Sequence, residues 1–341
     1  MSLNDFLKTD IAKLNVCIQT QLHSDVALVQ QVASYIVSAG GKRMRPLLLL
    51  LSAQAMSPTH PSLAGDTRVT SLAAVIEFIH TATLLHDDVV DESIQRRGKQ
   101  TANALFGNAA SVLVGDFLYS RAFQIMVGCD NMGVMRVLSD ATNVIAEGEV
   151  LQLMYIGDTQ LSEAQYLKVI EYKTAKLFEA AASLPAVLVG DAALVKALGD
   201  YGRKLGAAFQ IIDDVLDYEG DPSQLGKNLG DDLREGKVTL PIIFALARAT
   251  PESKQYLLQL FERIHSQSDD TQSLASHAQA PTAQQLQQVL AIMQTTRATQ
   301  YARESAQILA SQAIDAIASL PGSEAKMWLE TLAKSSVERV A

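Results

Sequence analysis

Nearly the whole chain repeats with helical periodicity, and this constrains its fold more than any other property. Ala, Leu, Gln and Glu recur at helical spacing almost throughout, whereas alternating apolar and polar stretches bounded by turn residues hardly occur. Prolines and glycines separate the periodic stretches, for example at Gly40-Gly41 and Pro321-Gly322. The sequence therefore predicts an all-α protein of about ten or more helices with essentially no sheet.

The composition is that of a folded protein with a sizeable core. Of 341 residues, 48% are apolar and 19% are charged, which is in the ordinary range for globular chains. No change in composition divides the chain, so we expect a single domain over residues 1–341. A stretch rich in Ser, Gln and Ala at 266–284 is predicted to be a surface loop or insertion without chemistry.

The charge and the cysteines restrict partners and location. The net charge is −9 without a basic tail, which argues against a nucleic-acid-binding protein. An anionic substrate would need local cations, because the field of the whole protein repels it. Cys17 and Cys129 form no CxxC unit, and the first residues do not resemble a signal peptide. We therefore expect a reducing, cytoplasmic location.

Two acidic clusters end apolar helical runs and are the clearest functional signal. HTATLLHDDVVDES begins at His80, and GAAFQIIDDVLDYEGD begins at Gly206; both contain DDxxD. On a helix, Asp87 and Asp91 lie only about 40° apart, so their carboxylates share a face. Such oxygen-only ligands suit Mg²⁺ better than zinc. The repetition of DDxxD predicts two helix ends that face one cavity. Because like charges this close need a counter-cation, both ends are predicted to bind metal.

The acidic clusters allow two other interpretations. A single DDxxD is usually a solvated helix end, but two copies that both end buried helices favour metal binding. Di-iron sites in helical bundles use Glu-x-x-His, and the chain has Glu77 with His80 and Glu262 with His265. The second of these pairs opens into the polar 266–284 stretch, and di-iron chemistry would leave both DDxxD clusters without a role. We therefore disfavour a di-iron site.

Basic residues at several points could supply cations for an anionic substrate. GGKRMRP at 40–46 places basic residues between a Gly-Gly turn and a helix, and arginine forks suit phosphate oxygens. Each of these residues alone is typical of a solvated surface, but together with Mg²⁺ they balance a highly charged substrate. No GxSxG, P-loop or GxGxxG is found, so chemistry by metal and electrostatics is expected. The basic residues are Lys42, Arg43, Arg45, Arg96, Arg97, Lys173, Lys227 and Lys237.

Six segments together resemble the trans-type isoprenyl (polyprenyl) diphosphate synthases. They are GGKRMRP, LLHDDVVDESIQRRG, GDFLYSRAF, KTAKLFEAA, AFQIIDDVLDYEGD and GKNLGDDLREGKVTLP, and they lie in the family's order over roughly residues 35–245. The similarity is greatest to the long-chain bacterial branch, the octaprenyl diphosphate synthases. The resemblance implies an isoprenoid-synthase helical bundle, a homodimer, and two DDxxD helices facing a central cavity.

The resemblance also implies the roles of individual residues. Asp87, Asp88, Asp91, Asp213, Asp214 and Asp217 would bind Mg²⁺, with three ions when the diphosphate is bound. The allylic diphosphate would contact Arg96, Lys173, Thr174, Gln210, Lys227 and Lys237. Isopentenyl diphosphate would contact Lys42, Arg45, His80 and Arg97, which explains His80 better than iron binding does.

The implied reaction is the condensation of isopentenyl diphosphate with an allylic diphosphate, with farnesyl diphosphate as the expected primer. The product would be a long all-trans chain, octaprenyl by resemblance, for a quinone side chain, with at most peripheral membrane contact on release. Shorter-chain synthases and a non-catalytic subunit of a two-subunit synthase are the alternatives. Subunits of that kind commonly lose acidic motifs, and terpene cyclases usually lack the second DDxxD, whereas both motifs are present here.

Residues just before the first DDxxD help to set product length in this family. Ala82 and Thr83 stand five and four positions before Asp87, and neither is an aromatic plug. Five residues of helix descend by about 7.5 Å, the depth at which a growing chain would meet an obstacle. Phe78, Met126 and Leu138 are candidates for a deeper floor, although ordinary core packing would explain each of them as well.

Overall fold

The computed structural model describes residues 2–38, 40–41, 43–96, 98–219, 229–268 and 281–339. Helices dominate these residues, which confirms the predicted all-α class. The helices of the first half are α1 (Leu3–Phe6), α2 (Lys8–Gln21), α3 (Ala27–Ser38), α4 (Met44–Met56), a 3₁₀ turn (Pro61–Leu63), α5 (Thr67–Val90), α6 (Ala102–Phe106), α7 (Asn108–Gly128) and α8 (Met132–Met154).

The second half begins with a helical segment that changes its winding. A π-helical turn interrupts this segment, and helix α11 that follows is 28 residues long. The elements are α9 (Glu163–Ile170), the π turn (Glu171–Ala175), α10 (Lys176–Val189), α11 (Ala192–Glu219), α12 (Asp231–Arg234), α13 (Leu240–Arg248), α14 (Pro251–Ser268), α15 (Ala283–Thr296), α16 (Ala298–Ala316) and α17 (Glu324–Val337).

A two-stranded antiparallel hairpin follows α5, where the sequence predicted essentially no sheet. Strand β1 (Gln95–Arg96) pairs with β2 (Lys99–Gln100). Gly98, with φ 73°, takes the left-handed conformation that a tight reversal needs. Strands of two residues are too short to produce an alternating pattern, which is why the sequence carried no signal for them.

The core has two parts, and α11 passes through both. The first part packs α5 against α4 and α7, and α10 against α4, α8 and α11. The second part packs the later half of α11 against α13 and α16. The first acidic cluster lies at the C-terminal end of α5 and the second at the C-terminal end of α11. Both sets of carboxylates are therefore carried by helices of the core.

Helix α5 is long and apolar enough to cross a membrane by length and composition, the one such helix found among the described residues. However, 67% of its most apolar window is buried inside the protein. Burial by neighbouring helices explains its apolar character, as is usual for the central helix of a bundle.

The predicted loop at 266–284 is bounded by helices that extend into it. Helix α14 continues to Ser268, and α15 begins at Ala283 with Thr282 as its N-cap. The intervening residues 269–280 lie outside the described part of the chain.

Candidate active site

The first acidic cluster lies at the C-terminal end of α5, where negative charge is unfavourable. Asp87 is in the last turn and Asp91 caps the helix, so both carboxylates oppose the helix dipole. Burial raises the pKa of Asp87, Lys173 lowers it, and the neighbouring Asp91 raises it further, with a net increase. A bound cation would offset this unfavourable charge, and the predicted Mg²⁺ binding by Asp87 and Asp91 stays a prediction.

Two lysines from distant parts of the chain lie against this cluster. The Lys173 ammonium is 3.9 Å from Asp87 Oδ2, and the Lys237 ammonium is 3.3 Å from Asp91 Oδ2. Lys237 also pairs with Glu235 at 2.5 Å. Burial alone would lower the pKa of Lys237, but Glu235 and Asp91 outweigh burial and raise it. Two of the predicted diphosphate-binding lysines, Lys173 and Lys237, thus lie next to the first DDxxD.

Asp88 faces away from the neighbouring carboxylates. Its side chain is fully buried, and its Oδ1 accepts hydrogen bonds from Arg96 Nε at 2.8 Å and from Arg96 Nη2 at 2.7 Å. Asn103 Nδ2 donates to the Asp88 carbonyl at 3.0 Å. In this geometry Asp88 anchors Arg96 and the hairpin behind the cluster, whereas the sequence predicted a metal-supporting role for Asp88. Arg97 lies outside the described residues.

Asp213 and Asp217 of the second cluster, on α11, have separate partners. Asp213 Oδ1 is 2.8 Å from Arg339 Nη2, near the C-terminal end of the described chain. The Asp217 carboxylate accepts the backbone N–H groups of Asp231 at 3.2 Å and of Asp232 at 3.1 Å. Of the Asp213 side chain, 41% is accessible to solvent. The predicted ligand Lys227 lies outside the described residues.

Asp214 is buried and takes part in a hydrogen-bonded chain. Tyr166 Oη donates to Asp214 Oδ2 at 2.6 Å, and Gln210 Nε2 donates to Asp214 Oδ1 at 2.8 Å. Thr174 Oγ1 in turn donates to Gln210 Oε1 at 2.9 Å. Burial, reinforced by Asp232, raises the pKa of Asp214 to about 8. Thr174 and Gln210, predicted to contact the allylic substrate, are thus tied to the second cluster.

Contacts between residues 229–237 and both clusters bring the two helix ends together. Asp232 donates its N–H to Asp217, and the Asp232 carbonyl accepts the N–H of Lys237 at 2.8 Å. The Lys237 side chain then reaches Asp91 on the other helix. The predicted convergence of the two acidic helix ends is therefore present in the structure.

Arg45 and His80, both predicted to hold isopentenyl diphosphate, are in direct contact. Arg45 Nη1 is 3.0 Å from His80 Nε2, and its guanidinium lies over the Phe178 ring at 4.5 Å. This pairing, between α4 and α5, does not suit iron binding by His80. Lys42 lies outside the described residues.

A cavity of about 620 Å³ with mostly apolar walls extends from the first cluster between α5, α7 and α8. We call it the interhelical cavity. Asp87 and Glu149 supply carboxylates to its lining, Thr83 lies one turn before Asp87, and Phe123 projects from α7. Burial, together with Asp87 and Glu149, raises the pKa of Tyr119, another lining residue, to about 12. A charged end that continues into an apolar space is suited to a molecule with a polar head and an apolar tail.

Of the five residues predicted to set product length, the structure places one on this cavity. Thr83 lines it, whereas Phe78, Ala82, Met126 and Leu138 are fully buried and are not among its lining residues. The side chains of a buried helix are apolar on nearly every face. The sequence therefore does not show which of them face the cavity. In the described structure the large α7 side chains on the cavity are Tyr119 and Phe123, rather than Met126.

Three residues of the site went unnoticed in the sequence: Glu149, Tyr119 and Arg339. Burial, together with Asp87, raises the pKa of Glu149 to about 7 despite its bond to Lys173. Tyr119 lies in the quoted GDFLYSRAF segment, which could have drawn attention to it. Glu149 and Arg339 carry no local signal, because their roles depend on partners from other helices.

The donors present fit Mg²⁺. Asp87 and Asp91 offer hard carboxylate oxygens, and lysine ammonium groups occupy the positions next to them. Within the described residues no group of three or more His, Cys, Asp or Glu converges to hold an ion alone. Mg²⁺ typically takes one or two carboxylates and completes its shell with water and substrate phosphates, and Asp87 with Asp91 would supply such a pair.

Comparison with known proteins gives one consistent result. The sequence profile of the polyprenyl synthetase family matches residues 26–278. The chain is 48% identical over 338 residues to octaprenyl diphosphate synthase of Escherichia coli (strain K12), covering 99% of this chain and 98% of the relative. It is 46% identical over 343 residues to the enzyme of the same name from Haemophilus influenzae, covering 99% and 98%.

Solved structures agree over the same length. The crystal structure of a polyprenyl synthase from Caulobacter crescentus CB15, complexed with calcium and isoprenyl diphosphate, superimposes with a TM-score of 0.90 at 42% identity, covering 99% of this chain and 97% of the other. A decaprenyl diphosphate synthase from Rhodobacter capsulatus gives a TM-score of 0.87 at 41% identity, covering 99% and 98%.

Proposed function

The chain belongs to the polyprenyl synthetase family and is a prenyltransferase, and from this premise we propose that it extends farnesyl diphosphate with isopentenyl diphosphate to all-trans octaprenyl diphosphate. The observation that carries the proposal is the arrangement of Asp87 and Lys173 at one end of the interhelical cavity. It suits an allylic substrate whose diphosphate stays at the charged end while its chain grows along apolar walls.

In the proposed reaction the residues of the two clusters bind and orient the allylic diphosphate. Asp87, Asp91 and Asp213 would hold Mg²⁺, which supplies charge neutralisation for the departing pyrophosphate. Lys173 and Lys237 would donate hydrogen bonds to the diphosphate oxygens. These bonds would stabilise the negative charge that develops on the departing pyrophosphate. When the allylic C–O bond breaks, its electron pair leaves with the pyrophosphate and a carbocation remains.

Arg45 and His80 would hold isopentenyl diphosphate so that its double bond faces the carbocation. The double bond attacks to form the new C–C bond, and loss of a proton to the released pyrophosphate restores an alkene. The apolar lining of the interhelical cavity, which includes Phe123 and Ile145, excludes water that would otherwise capture the cation. No general base from the protein is required in this scheme.

Product length is the direct test of the proposal. Incubation of the purified chain with farnesyl diphosphate, labelled isopentenyl diphosphate and Mg²⁺ is expected to give mainly octaprenyl diphosphate, measured by chromatography of the dephosphorylated products. An end point at geranylgeranyl length would instead identify a shorter-chain synthase. Inactivity of the chain on its own would point to a subunit of a heteromeric enzyme.

The proposed active form is a homodimer associated through α7 and α8. Large apolar side chains on these helices are exposed, including Leu113 at 66% and Met132 at 77%, and apolar patches of this kind commonly mark protein interfaces. We expect light scattering to give twice the mass of one chain. Leu113→Lys should shift the protein toward the monomer, whereas Lys334→Ala on α17 serves as a surface control without effect; a wild-type monomer would contradict the proposal.

The proposed setting is the cytoplasm, with the product used for a quinone side chain. The long apolar product would bring the enzyme into peripheral contact with a membrane when it is released. Cell fractionation should recover the protein in the soluble fraction, and loss of the gene should deplete octaprenyl quinones; a protein found only in membrane fractions would contradict this setting.

A further inference from the structure

Glu149 of α8 makes a short contact with Lys173, the cation beside Asp87 at the charged end of the interhelical cavity. Its Oε2 lies 2.6 Å from the ammonium of Lys173. The same ammonium is 3.9 Å from Asp87 Oδ2, beyond hydrogen-bonding distance. The three side chains are largely sheltered from solvent, at 18% exposure for Lys173, 17% for Asp87 and 29% for Glu149. One cation therefore lies between two carboxylates and is bound by Glu149.

The backbone of Lys173 is held in place by close contacts with two glycines. A Cβ on Gly148 of α8 would lie 2.6 Å from the Lys173 nitrogen, and a Cβ on Gly206 of α11 would lie 2.7 Å from Ala175 Cα. The π turn that carries Lys173 is thus packed directly against two helices. With its backbone fixed, the position of the Lys173 ammonium depends on the rotamers of a flexible side chain and on the partner that binds it.

The two carboxylates compete for this ammonium. A charge-assisted hydrogen bond at 2.6 Å is substantially stronger than a contact at 3.9 Å. Without the charge on Glu149, the nearest remaining carboxylate is Asp87, and the ammonium would move onto it. A metal ion would then have to displace the lysine before it could bind Asp87 Oδ2.

We propose that Glu149 is a positioning residue, which holds Lys173 beside Asp87 while keeping the Asp87 oxygen available for a divalent cation. The inference rests on the proposed Mg²⁺ dependence of this enzyme. It concerns the approach of the cation and is independent of product length. Glu149 directly follows Gly148, whose backbone is packed closely against Lys173. The backbone that carries the Glu149 side chain is therefore held in place as well.

The test is the variant Glu149→Gln, which keeps the size of the side chain and removes its charge. Mn²⁺ serves as the probe and is measured by electron paramagnetic resonance, with farnesyl thiolodiphosphate bound so that no turnover occurs. We expect Mn²⁺ affinity to fall roughly five- to tenfold, the difference between a lysine hydrogen bond to a carboxylate and one to an uncharged amide. The Mg²⁺ concentration that half-activates prenyl transfer should rise by a similar factor, while KM for isopentenyl diphosphate stays unchanged.

A matched control lies two residues earlier on the same helix. Glu147 is exposed, and its Oε1 accepts a hydrogen bond from Asn143 Nδ2 at 2.9 Å. Glu147→Gln removes the same charge from α8 without a contact to Lys173, and it should leave Mn²⁺ affinity as in the wild type. An equal loss in both variants would indicate a general charge effect and would overturn the positioning role.

A double variant separates positioning from direct metal binding. In a Lys173→Met background, Glu149→Gln should have no further effect on Mn²⁺ affinity, since the lysine that it positions is gone. A loss that persists in this background would make Glu149 itself a metal ligand and would refute the proposal. If wild-type protein failed to bind Mn²⁺ at all, the Mg²⁺ dependence would be wrong; wild-type affinity in Glu149→Gln would overturn the positioning role alone.

Discussion

Asp87→Ala is expected to reduce prenyl transfer by on the order of 10²–10³-fold, the usual effect of removing one group that stabilises charge in a transition state. Asp87 combines a carboxylate on the interhelical cavity with an ammonium at 3.9 Å and a second carboxylate, Asp91, that caps the same helix. Its removal should both weaken metal binding and disturb the orientation of the allylic diphosphate. Steady-state incorporation of labelled isopentenyl diphosphate measures the effect.

The fold should survive the same substitution. Burial raises the pKa of Asp87, and the neighbouring charge of Asp91 raises it further. The ionised Asp87 carboxylate therefore destabilises the folded state. Lys173 keeps its 2.6 Å bond to Glu149 when Asp87 is absent. Thermal unfolding should therefore show an unchanged or higher Tm. Asp140→Ala, which removes an exposed carboxylate from α8, is the matched control with full activity, and near-normal turnover in Asp87→Ala would refute the metal role.

Thr83→Phe is expected to change the main product made from farnesyl diphosphate from octaprenyl to geranylgeranyl diphosphate. Thr83 lines the interhelical cavity four residues before Asp87, which is about 6 Å along the helix axis. A phenyl ring at this depth would fill space that the growing chain needs. The length distribution of labelled products gives the readout, and total incorporation per enzyme shows whether the first condensations still proceed.

Thr83→Val provides the control for this prediction. Thr83 Oγ1 donates to the His80 carbonyl of its own helix at 2.8 Å, so its hydroxyl is already satisfied within α5. Valine has nearly the same shape and removes only this bond. We expect products of wild-type length from Thr83→Val, and shortened products from this variant as well would show that polarity, not volume, limits the chain.

The winding of the chain around Lys173 illustrates what sequence patterns leave undetermined. Lys173 and Thr174 belong to the KTAKLFEAA segment, and the structure places them in a helical stretch. However, it contains a π turn over Glu171–Ala175, which sends Lys173 toward Asp87 and Thr174 toward Gln210. One extra residue in a turn does not alter apolar periodicity enough to be recognised, although it decides which cluster each side chain meets.

For the acidic clusters too, the sequence predicted the spacing of the residues but not their partners. Their helical spacing predicted paired carboxylates, but not that Asp88 would be buried against Arg96 or that Asp213 would meet Arg339. Partners of this kind come from other elements, and no spacing rule connects them. The interhelical cavity is a similar case: Thr83 and Ala82 are adjacent in the sequence, yet only Thr83 lines it.

The sequence by itself determined the all-α class, the two acidic helix ends and the polyprenyl synthetase family, because helical periodicity and short motifs are local properties that the order of residues fixes directly. Only the tertiary structure decided which carboxylates face the interhelical cavity, which cations lie against them, and that Glu149 holds Lys173. Those features depend on how separate helices pack, and packing joins side chains such as Asp91 and Lys237 that lie far apart along the chain.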